Sequence, residues 1–174
     1  MQQNRGREIE ETVAPWLIPM AYAWILLSTY GGYPCVFSGD LYGVHGPDHA
    51  RPPTCRKLPQ LMLARKLYAY GRQIDYLDDA TCIGFTRHGD APSDSSRSSG
   101  LAVVMTSYLL SKSKLMNVGH AHAGEIWVNV LGDGTEAVVI DHSGRGVFRA
   151  PACGIAVYVT TSAAGLEQVI SATL

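Results

Sequence analysis

The sequence predicts an α/β segment followed by an all-β segment, and three observations carry that prediction. The stretch Gly31–Gly43, GGYPCVFSGDLYG, reads as a tight turn, a short buried strand at Cys35–Phe37 and a polar, glycine-rich exit. An apolar helical stretch precedes it and a second helical stretch follows, which is the rhythm of an α/β sheet or barrel. From Arg72 onward the texture changes: short runs rich in Val, Ile, Tyr and Trp alternate with Gly, Asp and Ser. Turn chemistry at His88-Gly89-Asp90, Gly132-Asp133-Gly134 and Ser143-Gly144 separates those runs, and strands spaced this way predict an antiparallel β-sandwich. The boundaries fall at residues 1–71, 72–160 and 161–174.

The totals set the frame. A chain of 174 residues holds one medium domain or two smaller pieces. Its formal net charge of −1 and the lack of a basic stripe argue against a nucleic-acid partner. Met1–Glu11 is polar and acidic, without the basic-then-apolar order of a signal peptide. The apolar segment Val13–Leu27 is shorter than the roughly 20 residues a membrane span needs, and Pro15 and Pro19 interrupt it. It reads as a buried helix, and no membrane partner is expected. Cys35, Cys55, Cys82 and Cys153 lie far apart and form no CxxC. They read as ordinary thiols, with one or two disulfides as the alternative, so the redox compartment stays open.

The elements follow in order. Thr12, after Glu8, Glu10 and Glu11, is a candidate N-cap for the first helix. Pro15 and Pro19 fit only the first turns of that helix. Trp16, Met20, Trp24 and Leu27 recur at helical spacing with mostly apolar residues between them, so the helix should be covered on several sides. Val44–Lys57 contains Pro47, Pro52 and Pro53 and reads as a loop. A second helix is predicted over Leu58–Tyr70, with Pro59 in its first turn and Gly71 ending it. Predicted strands are Gln73–Leu77, Cys82–Arg87, Leu101–Thr106, Lys114–Val118, Glu125–Asn129, Ala137–Ile140, Gly146–Arg149 and Ile155–Thr160. Ser93–Ser99 reads as a serine-rich mobile loop, and Thr161–Leu174 as a loose extension with weak helical character. The α/β piece is expected to be incomplete alone, because its single strand has no sheet to join.

Six stretches, in order, carry a family resemblance: AYAWILL (21–27), GGYPCVFSGDLYG (31–43), LMLARKLYAYG (61–71), IGFTRHGD (83–90), SGLAVVM (99–105) and AGEIW (123–127). They resemble the C-terminal part of α-amylases of glycoside hydrolase family 13, of the liquefying bacterial and intracellular fungal type. The resemblance runs from about Glu10 to Thr160. It implies that the Trp16 helix, the Cys35–Phe37 strand and the Leu58–Tyr70 helix are the last β/α units of a TIM barrel. It implies that residues 72–160 are the Greek-key sandwich, domain C, that follows. The implied activity is endo-hydrolysis of α-1,4-glucosidic bonds in starch or glycogen, so the implied partner is an α-glucan polysaccharide.

A retaining glycosidase needs two carboxyl groups roughly 5–5.5 Å apart. The family's nucleophilic Asp and acid/base Glu belong to strands upstream of Met1. Its stabilising Asp lies in an Asn-His-Asp motif whose His and Asp fall on Met1 and Gln2. No catalytic residue is therefore assigned, and the chain alone is expected to be inactive. A non-catalytic starch- or glycogen-binding or structural β-sandwich module is the alternative. Localisation stays open, since any targeting signal would precede Met1.

Asp40 is the candidate residue of the substrate-cleft rim, either facing a sugar hydroxyl or serving as a structural carboxylate at the turn. His45 and His49 in HGPDH are spaced as zinc ligands would be on a helix, but Gly46 and Pro47 oppose a helix, and a solvated loop is expected. His120 and His122 read as surface histidines. Calcium is implied by the family. Its acidic ligands in this region would fall on Thr81 and Ser107, neither of which is a carboxylate, although Asp75, Asp78, Asp79 and Asp90 lie near in sequence. No metal ligand is therefore assigned. Tyr68, Tyr70, Tyr76, Phe85 and Trp127 are expected in the core rather than stacked on sugars.

Overall fold

The computed structural model of the chain describes residues 13–45, 50–90, 97, 99–132, 134 and 136–172. Among the described residues, four α-helices and eight strands form; the helices are α1 (Ile18–Leu27), α2 (Ser38–Tyr42), α3 (Leu58–Tyr68) and α4 (Leu166–Ile170). The strands are β1 (Gln73–Asp79), β2 (Cys82–Arg87), β3 (Leu101–Thr106), β4 (Lys112–Asn117), β5 (Ile126–Asn129), β6 (Ala137–Val139), β7 (Arg145–Ala150) and β8 (Gly154–Thr160). All eight predicted strands form: Cys82–Arg87 and Leu101–Thr106 have the predicted ends, and the others shift by one or two residues. The candidate cap Thr12 and most of Ser93–Ser99 lie outside the described residues.

Six strands make one sheet in the order β1-β2-β3-β8-β5-β6, and β4 pairs with β7 in a second, two-stranded sheet. Every pairing is antiparallel. The side-chain alternation of the central strands feeds two cores at once. Leu101, Val103 and Met105 of β3, and Ile155, Val157 and Val159 of β8, face the helices. Ala102, Val104, Ala156 and Tyr158 face β4 and β7, where Phe148, Met116 and Trp127 meet them. That is why β3 and β8 read as unbroken apolar runs: both faces are buried. β7 is covered on one face only, and its residues alternate exposed and buried along RGVFRA. Each fully buried Leu, Val, Ile or Phe contributes about 1.5–3 kcal/mol.

The first helix starts later than the sequence pattern suggests. Pro19 sits in its first turn, as expected, but Trp16 precedes the helix and is 45% exposed. Met20, Tyr22, Ala23, Leu26 and Leu27 are buried, and Trp24 meets Phe85 edge-on at 5.7 Å. Pro59 likewise opens α3. The turn after α3 depends on Gly71, at φ +76°, which bridges to Gly89; a Cβ there would meet the Gly89 carbonyl oxygen at 1.8 Å.

Three expectations are corrected. Cys35–Phe37 is neither a strand nor buried: Cys35 is exposed and Phe37 is 60% exposed. A strand needs a hydrogen-bonding neighbour, and no strand among the described residues lies beside this run. The expected polar loop at Ser38–Asp40 is instead the start of the short helix α2. The tail is not loose either. Val169 of α4 is fully buried, and Leu166 and Ile170 pack beside it in the helix-side core. Tyr68 Oη donates to the Ala164 carbonyl at 2.9 Å, and Gln60 Nε2 to the Ile170 carbonyl at 3.2 Å. An apolar i, i+3, i+4 stripe and two polar anchors hold it to α3.

Candidate functional site

Asp40 lies in the first turn of α2, where a carboxylate is favoured by the helix dipole. Both its oxygens accept protons from the chain's own hydroxyls: Oδ2 from Tyr22 Oη at 2.5 Å and Oδ1 from Thr54 Oγ1. Tyr22 Oη in turn accepts from the Phe37 N–H at 3.3 Å, and the Asp40 carbonyl accepts from the Cys55 N–H at 3.2 Å. Asp40 thus ties α1 to the Pro34–Phe37 run and to the Arg51–Cys55 loop. Burial, and then the bond to Asp40, push the Tyr22 phenol up to about 12. Burial also pushes the Cys55 thiol up. Gly43, at φ +79°, closes α2 against the Arg51 carbonyl, and a Cβ there would meet that oxygen at 2.5 Å.

These groups border a cavity of about 890 Å³ lined by Tyr22, Cys35, Phe37, Asp40, Arg51 and Thr54, among others. Among the described residues, Asp40 is the one carboxylate in its lining, and the arrangement orients hydroxyls around it.

The other candidates among the described residues do not line this cavity. His45 is exposed near Val44, and His49 lies outside the described residues. His120–His122 is a single 3-10 turn rather than a strand, and His122 is buried, which corrects its reading as a surface residue. Its Nδ1 lies 2.9 Å from Glu125 Oε2, which also accepts from Trp127 Nε1 at 3.0 Å. Tyr68, Phe85 and Trp127 are core residues. Tyr76 packs against the sheet-side core, and Tyr70 lies under the Arg97 guanidinium at 4.6 Å. Tyr108 is the exposed aromatic of residues 72–160 among those described, which leaves no aromatic platform on either sheet.

The acidic group is dispersed. Asp75 accepts from Tyr30 Oη at 2.7 Å and from Gln73 Nε2 at 2.6 Å. Asp78 pairs with Lys114 at 2.6 Å and Asp79 with Lys112 at 2.7 Å. No set of three or more His, Cys, Asp or Glu among the described residues is arranged to hold a metal ion. All four cysteines are unpaired. The residues that sequence reasoning missed, Tyr22, Thr54, Lys112 and Lys114, are partners of residues it did single out. Only their non-local pairing marks them.

No protein-family model matches the chain. The Bacillus licheniformis α-amylase is 41% identical over 155 residues, covering 88% of this chain and 29% of that protein. The Geobacillus stearothermophilus α-amylase is 40% identical over 154 residues, covering 88% and 27%. The cytoplasmic α-amylase of Escherichia coli K12 is 34% identical over 170 residues, covering 93% and 32%. A crystal structure of an Anoxybacillus α-amylase shares the fold, with a TM-score of 0.59 at 12% identity over 83% of this chain and 32% of that one. This chain is therefore homologous to the α-amylases, glycosidases of the glycoside hydrolase family 13 type, and spans about three-tenths of the length of the relatives it matches.

Proposed function

We propose that this chain is the C-terminal part of an α-amylase-type glycosidase that cleaves internal α-1,4-glucosidic bonds of starch or glycogen with retention. In this reading residues 1–71 are the last units of a TIM barrel, 72–160 are a Greek-key domain C, and 161–174 are a tail docked on α3. The chain alone does not catalyse, and the α-glucan is the partner of the complete protein. The observation that carries the reading is 34–41% identity to α-amylases over nearly all of this chain and under a third of theirs.

The apolar surface supports it. Trp16, Tyr33, Phe37 and Tyr42 are all exposed in the segment that would belong to the barrel, and Phe37 lines the cavity at Asp40. Exposed aromatic surface of this kind marks a face suited to cover by further protein. The test joins this chain to the upstream portion of the Bacillus licheniformis α-amylase and measures reducing sugar released from starch. The fusion releases sugar and the chain alone releases none. Release by the chain alone refutes its inactivity, and a folded but inactive fusion refutes the assignment to the barrel's end.

A further inference from the structure

The family resemblance implies a calcium ion bound near Thr81 and Ser107, and the residues present there do not fit one. Thr81 and Ser107 border a cavity of about 350 Å³ whose other lining residues, Met20, Trp24, Ile25 and Met105 among them, are apolar. The Thr81 and Asp79 oxygens are already engaged. The Thr81 carbonyl accepts from the Ser107 N–H at 3.1 Å and from Thr106 Oγ1 at 2.6 Å. Asp79 Oδ1 accepts from the Thr81 N–H and from Thr81 Oγ1, both at 2.8 Å. Asp79 Oδ2 and Thr81 Oγ1 receive the Lys112 ammonium at 2.7 and 2.5 Å. Calcium requires six to eight oxygen ligands, several of them carboxylate.

We propose that Lys112 supplies in this chain the positive charge that a divalent cation would supply, clamping the β1–β2 turn to the start of β4 and making residues 72–160 independent of calcium. The ammonium's third side faces the Tyr108 ring at 5.1 Å, so one cation joins the β1–β2 turn to the connection between β3 and β4. Two residues along the same face of β4, Lys114 reaches Asp78 at 2.6 Å. Adjacent aspartates are thus neutralised by lysines at i and i+2, which point to one side of a strand. The Lys112 contact holds the Asp79 carboxyl well below the usual carboxylate range, and the Thr81 donors add to it. The inference rests on the family reading only for the identity of the expected ion; the ammonium contacts stand without it.

The test is thermal unfolding of the full chain in excess EDTA and in millimolar calcium, for the native sequence and for Lys112→Met, Lys112→Arg, Asp79→Asn and the double variant Asp79→Asn/Lys112→Met. The native Tm is the same in both media. Lys112→Met lowers Tm by roughly 2–4 °C, Lys112→Arg retains most of it, and the double variant loses less than the two single variants together. A native Tm that rises with calcium overturns the proposal, as does a Lys112→Met variant that melts with the native chain. Should Lys112→Met fail to fold, Lys112→Arg and Asp79→Asn carry the same comparison. An inactive amylase fusion would leave these melts unchanged, so failure of the family reading and failure of the clamp are separable.

Discussion

Replacing Arg87 with Met removes the group that fastens α1 to the sheet. Arg87, at the end of β2, is buried, and its Nη1 donates to the Leu27 carbonyl at 3.1 Å and its Nε to the Gly71 carbonyl at 3.1 Å. Leu27 is the last residue of α1, so its carbonyl has no partner within the helix. Arg65 Nη1 donates to the neighbouring Leu26 carbonyl, so two guanidinium groups meet the negative end of that helix. Burial, and then repulsion from Arg65, lower the Arg87 pKa, so holding the charge there carries a desolvation cost. Met keeps an apolar stem but is shorter and donates nothing, leaving two carbonyls short of a donor at about 1–3 kcal/mol each. Relief of the desolvated charge offsets part of that, giving a net loss of about 2–4 kcal/mol. For a chain of this size the loss lowers Tm by roughly 4–16 °C. Arg87→Lys, a point charge that cannot fork between two acceptors, falls between the two. Thermal unfolding followed by far-ultraviolet circular dichroism measures all three. An Arg87→Met variant within about 0.5 kcal/mol of the native chain, the range of ordinary surface changes, would refute the reasoning.

Two further predictions concern the tyrosines and Asp40. Asp40→Asn removes a charged acceptor from Tyr22 and Thr54 and costs about 1–2 kcal/mol; ultraviolet titration should show the Tyr22 phenol ionising at lower pH while burial keeps it above 10.0, its ordinary value. If the same variant in the starch-cleaving fusion lost activity with no change in Tm, Asp40 would act on the sugar and not as a strut. Tyr22 and Tyr68 are both pushed up to about 12, chiefly by burial. A folded-state pKa raised above its unfolded value gives stability that is complete below pH 10 and is lost as pH rises to about 12. The ceiling is about 2.7 kcal/mol for each tyrosine, and solvent screening reduces it to on the order of 1 kcal/mol. Urea unfolding across that window reads the loss, and Tyr68→Phe removes the share due to Tyr68; a flat profile would contradict the assignment.

The β half of the fold was legible because its information is local. Val103 and Val157 face one way, Val104 and Ala156 the other, and both faces are buried. Such runs identify themselves without knowledge of their neighbours, and the Gly and Asp turns between them fix their ends. Cys35–Phe37 shows the limit of that logic. Its apolar residues make it look like a buried strand, but burial and pairing are properties of a partner, and none lies beside it among the described residues. The tail errs in the opposite direction: its helical character is weak in the sequence, since Leu166, Val169 and Ile170 make a short stripe, and its docking depends on the surface that α3 supplies.

The site was half legible for the same reason. Asp40 stands out as a charge after an apolar run, whereas Tyr22 and Thr54, 18 and 14 residues away, carry no mark of their own. The pattern repeats wherever two segments meet. Arg87 reaches a carbonyl 60 residues back, Gln60 one 70 residues ahead, and Tyr68 one 96 residues ahead. In each case a side chain of one element satisfies a carbonyl of another. Backbone carbonyls look alike in every sequence, so only the donor is visible and its purpose is not. The apolar pattern decides which elements form, while these donors decide how the helices seat on the sheet. A change at Arg87, Gln60 or Tyr68 should therefore loosen the joint between helices and sheet before it disturbs any single strand.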